Sequence, residues 1–162
     1  MTEPPSGAVV LPDGTVVRGR GRREALPTGP HPEFGLYLGR PPDRPCRGVL
    51  RRTPPPPPPW PMAWIDWPDF RTPRDDQQAA ALIGHGYRLA RAGQRVEVVC
   101  AGGTGRTGTV VACMAVLAGH PVEDAVAWTR RHYRPGAVET PGQRRWVTWF
   151  ATNVPGAAPD GA

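Results

Sequence analysis

Cys100 and Arg106 stand with Ala101-Gly102-Gly103-Thr104-Gly105 between them and Thr107-Gly108 directly after. An ionised thiol is a strong nucleophile, and a guanidinium is a planar fork of donors suited to an oxyanion. Glycine at 102, 103 and 105 lets the backbone take positive φ and come close to a bound anion. Arg95 to Val99 reads as a buried strand and Arg106 to Ala118 as an apolar helix. The loop therefore lies at a helix N-terminus, where the N–H groups of residues 101 to 105 converge on one point. That geometry makes an anion site, and its field favours the thiolate of Cys100.

Cys100-x-x-Gly103-x-x-Arg106-Thr107-Gly108 resembles the signature loop of the cysteine-dependent protein tyrosine phosphatases, a cysteine and an arginine five residues apart followed by serine or threonine. Trp67-Pro68-Asp69 looks like the WPD loop, which in that family carries the general acid and lies upstream of the cysteine. The resemblance implies that Cys100 attacks phosphorus to form a phosphocysteine, while Arg106 and the N–H groups of Ala101, Gly102, Gly103, Thr104 and Gly105 hold the equatorial oxygens. Asp69 would protonate the leaving oxygen and then help activate water. The Thr107 hydroxyl would bond the sulfur and help it leave. Neither a cofactor nor a metal is implied. Asp66 is a competing acid, better read as a structural hydrogen-bonding group.

Arg134-Pro135-Gly136-Ala137-Val138-Glu139-Thr140, followed by Gln143, resembles a segment of compact dual-specificity and related phosphatases. Gln143 is thus a candidate for positioning the hydrolytic water, with a purely structural role as the alternative. The main departure from the family is Val99, where a histidine usually precedes the cysteine. A slower enzyme is expected from it, and a module that binds phosphate without removing it is the extreme case. The fold implied is α/β, a central mostly parallel sheet flanked by helices, with the signature loop between a strand and a helix. The resemblance is to compact bacterial tyrosine or dual-specificity phosphatases and covers roughly residues 60 to 150.

The expected partner is a phosphorylated protein. No lysine or extra arginine lies between Cys100 and Arg106, which argues mildly against phosphoinositides. The Trp-Pro-Asp form of the acid loop leans towards phosphotyrosine. No tyrosine-stacking segment is legible, so dual specificity stays open. A phosphorylated metabolite or lipid headgroup is the alternative substrate.

The chain has 162 residues, one domain's worth. Its 23 prolines and 20 glycines crowd the first third and the C-terminal end. Every one of its 20 basic residues is arginine, which with the abundant alanine points to a GC-rich bacterial genome. A net charge of +6 can attract nucleic acid, anionic membrane or acidic substrates. No basic stripe interleaved with aromatics marks a nucleic-acid module, so no specific nucleic acid is expected. Three cysteines (46, 100, 113) are too few and scattered for a disulfide framework. Met1 to Gly7 lacks signal-peptide character, and the apolar run Val110 to Ala118 is too short to span a bilayer. A cytoplasmic protein without membrane partners is expected.

Along the chain, residues 1–7 read as a disordered tail, 8–153 as a single domain and 154–162 as a frayed end. Ala8 to Leu11 and Thr15 to Arg18 flank Asp13-Gly14, a hairpin signal. Arg18, Arg20, Arg22 and Arg23 read as a solvated strand end, with a ligand-binding arm as the alternative. Phe34 to Leu38 and Ala63 to Ile65 are strand candidates. Cys46 reads as a free thiol in a loop, with a reversible disulfide to Cys100 as the alternative. Pro54 to Pro59 reads as a polyproline II spacer, or else as a ligand for a proline-recognition partner. Thr72-Pro73 reads as the start of a helix ending at Gly93, on which His85 is a partly exposed bystander. Cys113 reads as a core residue. Pro121 to Tyr133 and a segment capped by Thr140-Pro141 read as the last helices.

Overall fold

Residues 7–43 and 56–157 are described by the structure, a computed structural model. The tail up to residue 6, Cys46, the first two residues of the Pro54 to Pro59 run and residues 158–162 lie outside the described residues. Gly7, read as part of the tail, already belongs to the domain, because its carbonyl accepts the Gly19 N–H at 2.9 Å.

Five strands form one sheet: β1 (Ala8–Val10), β2 (Val16–Gly21), β3 (Phe34–Gly39), β4 (Met62–Asp66) and β5 (Val96–Cys100), in the order β1-β2-β5-β3-β4. β1 pairs antiparallel with β2 through the Asp13-Gly14 turn, while every other pairing is parallel. β3 and β5 are buried at every residue. This is the burial that parallel strands require, and it explains why both read as apolar in the sequence apart from Glu97.

Helices α1 (Asp76–Arg91), α2 (Gly105–Leu117), α3 (Val122–His132) and α4 (Pro141–Asn153) complete the domain. α2 is buried from Gly105 to Val116, so it is covered all round rather than on one face, and is apolar from Val110 onwards. Close packing depends on small residues. A Cβ at Gly86 of α1 would meet Leu36 of β3 at 2.9 Å, and one at Gly108 of α2 would meet the Ala137 Cβ at 2.5 Å. Among the described residues, no helix is long and apolar enough to cross a membrane.

Three expectations shift. α1 starts at Asp76, not at Thr72-Pro73: Asp75 is its N-cap, its carboxylate accepting the Gln78 N–H at 2.9 Å. Residues 68–74 are drawn into a turn instead, with Arg71 N–H on the Pro68 carbonyl and Arg74 N–H on that of Asp66. At the other end the domain runs past residue 153, since Ala157 is buried in the core.

The third shift concerns the arginines of β2. Arg20 is buried rather than solvated, and its Nε and Nη2 each donate to a Glu97 carboxylate oxygen at 3.0 Å. The Tyr37 hydroxyl donates to the same carboxylate at 2.7 Å, linking three adjacent strands. Burial, and after it the bond to Glu97, push the Tyr37 phenol well above its ordinary value. Glu97 is fully buried. Glu97→Ala would strand the Arg20 charge and the Tyr37 hydroxyl inside the sheet, and such a broken pair costs about 3–5 kcal/mol. A fall of that size in unfolding free energy by urea titration is the expected result, with Glu97→Gln falling less because it keeps two of the acceptor contacts.

Candidate active site

β5 delivers Cys100 to the edge of the core, where the chain breaks from strand into the glycine turn that opens α2. The Gly103 N–H donates to the Cys100 sulfur at 3.1 Å. Gly103 has φ +74°, and a Cβ there would lie 2.4 Å from the Gly21 nitrogen. Both the left-handed backbone and the close approach demand glycine. On the outer side, the Tyr133 hydroxyl donates to the Gly103 carbonyl. Arg134 Nη1 donates to the Gly102 carbonyl at 3.0 Å and lies 3.4 Å from the Thr104 hydroxyl.

These two residues turn the loop carbonyls outwards. Because the peptide is planar and trans, the N–H groups of Gly103 and Thr104 then point the opposite way, towards the thiol. Among the described residues no backbone carbonyl accepts the N–H of Gly102, Thr104, Gly105 or Arg106. Arg134 is itself fixed by Glu24, both of whose carboxylate oxygens accept from its Nη2 at 2.9 Å. That bond holds the Glu24 carboxyl below the usual carboxylate range.

Arg106, at the start of α2, is 5% exposed and joins the signature loop to the acid loop. Its Nη1 donates to the Trp67 carbonyl at 2.9 Å, and its Nη2 lies 3.4 Å from Asp69 Oδ1. Its Nε is buried without a protein acceptor, as is the hydroxyl of the fully buried Thr107. The sulfur bond expected of Thr107 is thus not made in this conformation, and the bond to sulfur comes from Gly103.

The acid loop hangs on Trp67, which is fully buried and packs on Trp146 with ring centres 5.3 Å apart. Its indole N–H donates to the Arg71 carbonyl at 2.6 Å. Asp69 follows with a half-exposed carboxylate, and Phe70 takes φ +60° with 63% of its surface exposed. An exposed apolar residue thus follows the carboxylate in the acid loop, its N–H on Asp69 Oδ1 at 3.0 Å. Gln143 is buried below this loop: its Oε1 accepts the Glu139 N–H at 2.9 Å, and its Nε2 donates to the Arg71 carbonyl at 3.3 Å.

Cys100, Arg106, Asp69 and the loop amides therefore come together, while Gln143 reaches them only through the Arg71 carbonyl, which it shares with Trp67. Asp66 stands apart, 3.4 Å from Arg74 Nε. His85 is exposed and edge-on to Phe34, and Cys113 is buried in the core, where burial pushes its thiol well up. Val99 sits fully buried between Arg20 of β2 and Tyr37 of β3. Sequence reading missed Tyr133, Arg134 and Glu24. They reach the loop from other elements, and no local spacing connects them to it.

A thiol that takes the Gly103 N–H, beside loop N–H groups that no backbone carbonyl among the described residues accepts and a guanidinium paired with a carboxylate, suits a tetrahedral oxyanion. Comparison with known proteins points the same way. The protein-tyrosine phosphatase family model matches residues 59–152, more than half of the chain. The crystal structure of Tk-PTP in its active form aligns with a TM-score of 0.59 and 25% identity, over 76% of this chain and 80% of that one. A glycine-to-alanine mutant form of Tk-PTP aligns with a TM-score of 0.57 and 24% identity, over 74% and 76%. With its helices and mostly parallel sheet arranged around that loop, the chain belongs to the cysteine-dependent protein tyrosine phosphatases.

Proposed function

We propose that this enzyme hydrolyses phosphotyrosine in proteins through a phosphocysteine at Cys100, with Asp69 as general acid. The observation that carries this reading is the contact of Arg106 with both the Trp67 carbonyl and Asp69, which brings the acid to the loop that holds the nucleophile. In the first step the Cys100 thiolate attacks phosphorus, the ester P–O bond breaks, and Asp69 gives its proton to the departing oxygen. In the second, water attacks phosphorus while the Asp69 carboxylate takes its proton, the P–S bond breaks, and inorganic phosphate leaves.

Charge spread over the three equatorial oxygens would be met by Arg106 and the inward N–H groups. The unpartnered Arg106 Nε and Thr107 hydroxyl are spare donors at this point, the first for an oxygen and the second for the leaving sulfur. Gln143 serves in this reading to position the acid loop through Arg71. Ordering the attacking water would require its amide to give up one of the two bonds it makes. The Trp67-Pro68-Asp69 form of the acid loop supports phosphotyrosine before phosphoserine or phosphothreonine. We place the enzyme in a bacterial cytoplasm, facing phosphoproteins.

The test is turnover of para-nitrophenyl phosphate and of phosphotyrosine and phosphoserine peptides without added metal. Expected are turnover of the aryl esters, slower turnover of phosphoserine, and a fall of about 10²–10³ in kcat/KM for Arg106→Lys, which loses the planar fork. Phosphopeptide binding without turnover would make the protein a phosphate reader, and turnover confined to small metabolites or lipid headgroups would move the substrate class.

A further inference from the structure

The arginines around the signature loop are not equivalent. Arg20 is neutralised by Glu97, Arg134 by Glu24 and Arg106 by Asp69. Arg22, in the loop directly after β2, has no carboxylate within ion-pair reach among the described residues. Its backbone fixes it beside the nucleophile, since its N–H donates to the Cys100 carbonyl at 2.9 Å. Its guanidinium lies over the Trp64 ring, 5.3 Å from the centroid, a contact that orients the cation without using its N–H donors.

Arg22 also faces Arg106. The place a Cβ would take at Gly39 lies 2.9 Å from Arg22 Nη2 and 3.5 Å from Arg106 Nη1, so glycine at the end of β3 leaves room for both guanidinium groups. Partial desolvation, and after it the Arg106 charge, hold the Arg22 guanidinium below its ordinary value. Two like charges on either side of one glycine, one of them exposed and without a carboxylate partner among the described residues, make a seat for an anion.

We propose that Arg22 is a specificity-determining residue that binds a second anionic group of the substrate, a carboxylate of an aspartate or glutamate flanking the phosphotyrosine. The proposal rests on the reading of Cys100 and Arg106 as the phosphate site. In it, Arg106 faces the scissile phosphate and Arg22 takes the neighbouring carboxylate. Being on the rim, this contact is screened by salt, so the preference it creates weakens as ionic strength rises.

The experiment compares phosphotyrosine peptides flanked by glutamate or by glutamine, together with para-nitrophenyl phosphate, on wild type, Arg22→Gln, Arg22→Lys and Arg23→Gln. Arg23 is the exposed neighbour, and its variant matches the change in net charge. Wild type is expected to favour the glutamate peptide by about tenfold in kcat/KM, mainly through KM. Arg22→Gln brings the ratio near one, Arg22→Lys restores part of it, and Arg23→Gln keeps it. No preference in wild type, or an equal loss on all three substrates in Arg22→Gln, overturns the proposal. Calorimetric binding of both peptides to Cys100→Ser, with and without Arg22→Gln, separates the two readings: the affinity ratio tests Arg22 even if wild type turns nothing over, a result that would count against catalysis alone.

Discussion

Cys100→Ser is expected to lower kcat on phosphotyrosine by about 10⁴-fold or more, the scale on which removal of a covalent nucleophile acts. A serine hydroxyl fits the space and can accept the Gly103 N–H that now reaches the sulfur at 3.1 Å. It is not ionised at neutral pH, and the loop's inward N–H groups cannot supply what it lacks as a nucleophile. The same donors and Arg106 remain, so phosphate binding survives. Calorimetry with a phosphotyrosine peptide should return an affinity close to wild type, while the stopped assay shows no phosphate release. Loss of binding together with turnover would mean instead that the thiol holds the loop in shape.

Asp69→Asn is the second large effect, and its size depends on the leaving group. A placed general acid contributes about 10²–10⁴ in rate when the departing oxygen is a poor leaving group. Asparagine keeps an acceptor for the Phe70 N–H, which Asp69 Oδ1 takes at 3.0 Å, but has no proton to give. The fall in kcat/KM, which reports the first step, should approach that range for phosphotyrosine and shrink to about tenfold or less for dinitrophenyl phosphate, whose phenoxide leaves unaided. Asp69 also stands 3.4 Å from Arg106, so the neutral variant removes a negative charge beside the phosphate site and should leave KM unchanged or lower. A uniform loss in kcat/KM across leaving groups would identify Asp69 as an anchor for Arg106 rather than an acid.

The parts of the site carried by local sequence were legible. Strand, glycine turn and helix around Cys100 follow from an apolar run interrupted by glycines, and the observed β5 and α2 match that reading to within a residue at each end. Thr140 caps α4 as its spacing with Pro141 requires, its hydroxyl accepting the Gln143 N–H at 3.1 Å. What failed did so because the deciding partner is remote. Thr72-Pro73 has the chemistry of a helix start, yet the Arg71 carbonyl is claimed by Trp67 and Gln143 and the Arg74 N–H by Asp66, so residues up to 74 serve the acid loop. Arg18 to Arg23 looked like one solvated run, but Glu97 of the neighbouring strand holds Arg20 in a buried pair, while the backbone of Arg22 meets Cys100. Tyr133 and Arg134 acquire a purpose only when α3 brings them against the loop carbonyls.

The central claim is that phosphorus passes through Cys100. The most direct measurement is a rapid denaturing quench of the enzyme turning over a radiolabelled phosphotyrosine peptide, followed by mapping of the labelled residue. The account predicts label on Cys100 that appears and decays with turnover, accumulates in Asp69→Asn given labelled dinitrophenyl phosphate because the first step proceeds while the second has lost its base, and is absent in Cys100→Ser. Phosphate released at the wild-type rate with no label on Cys100, or turnover that survives Cys100→Ser, would contradict it.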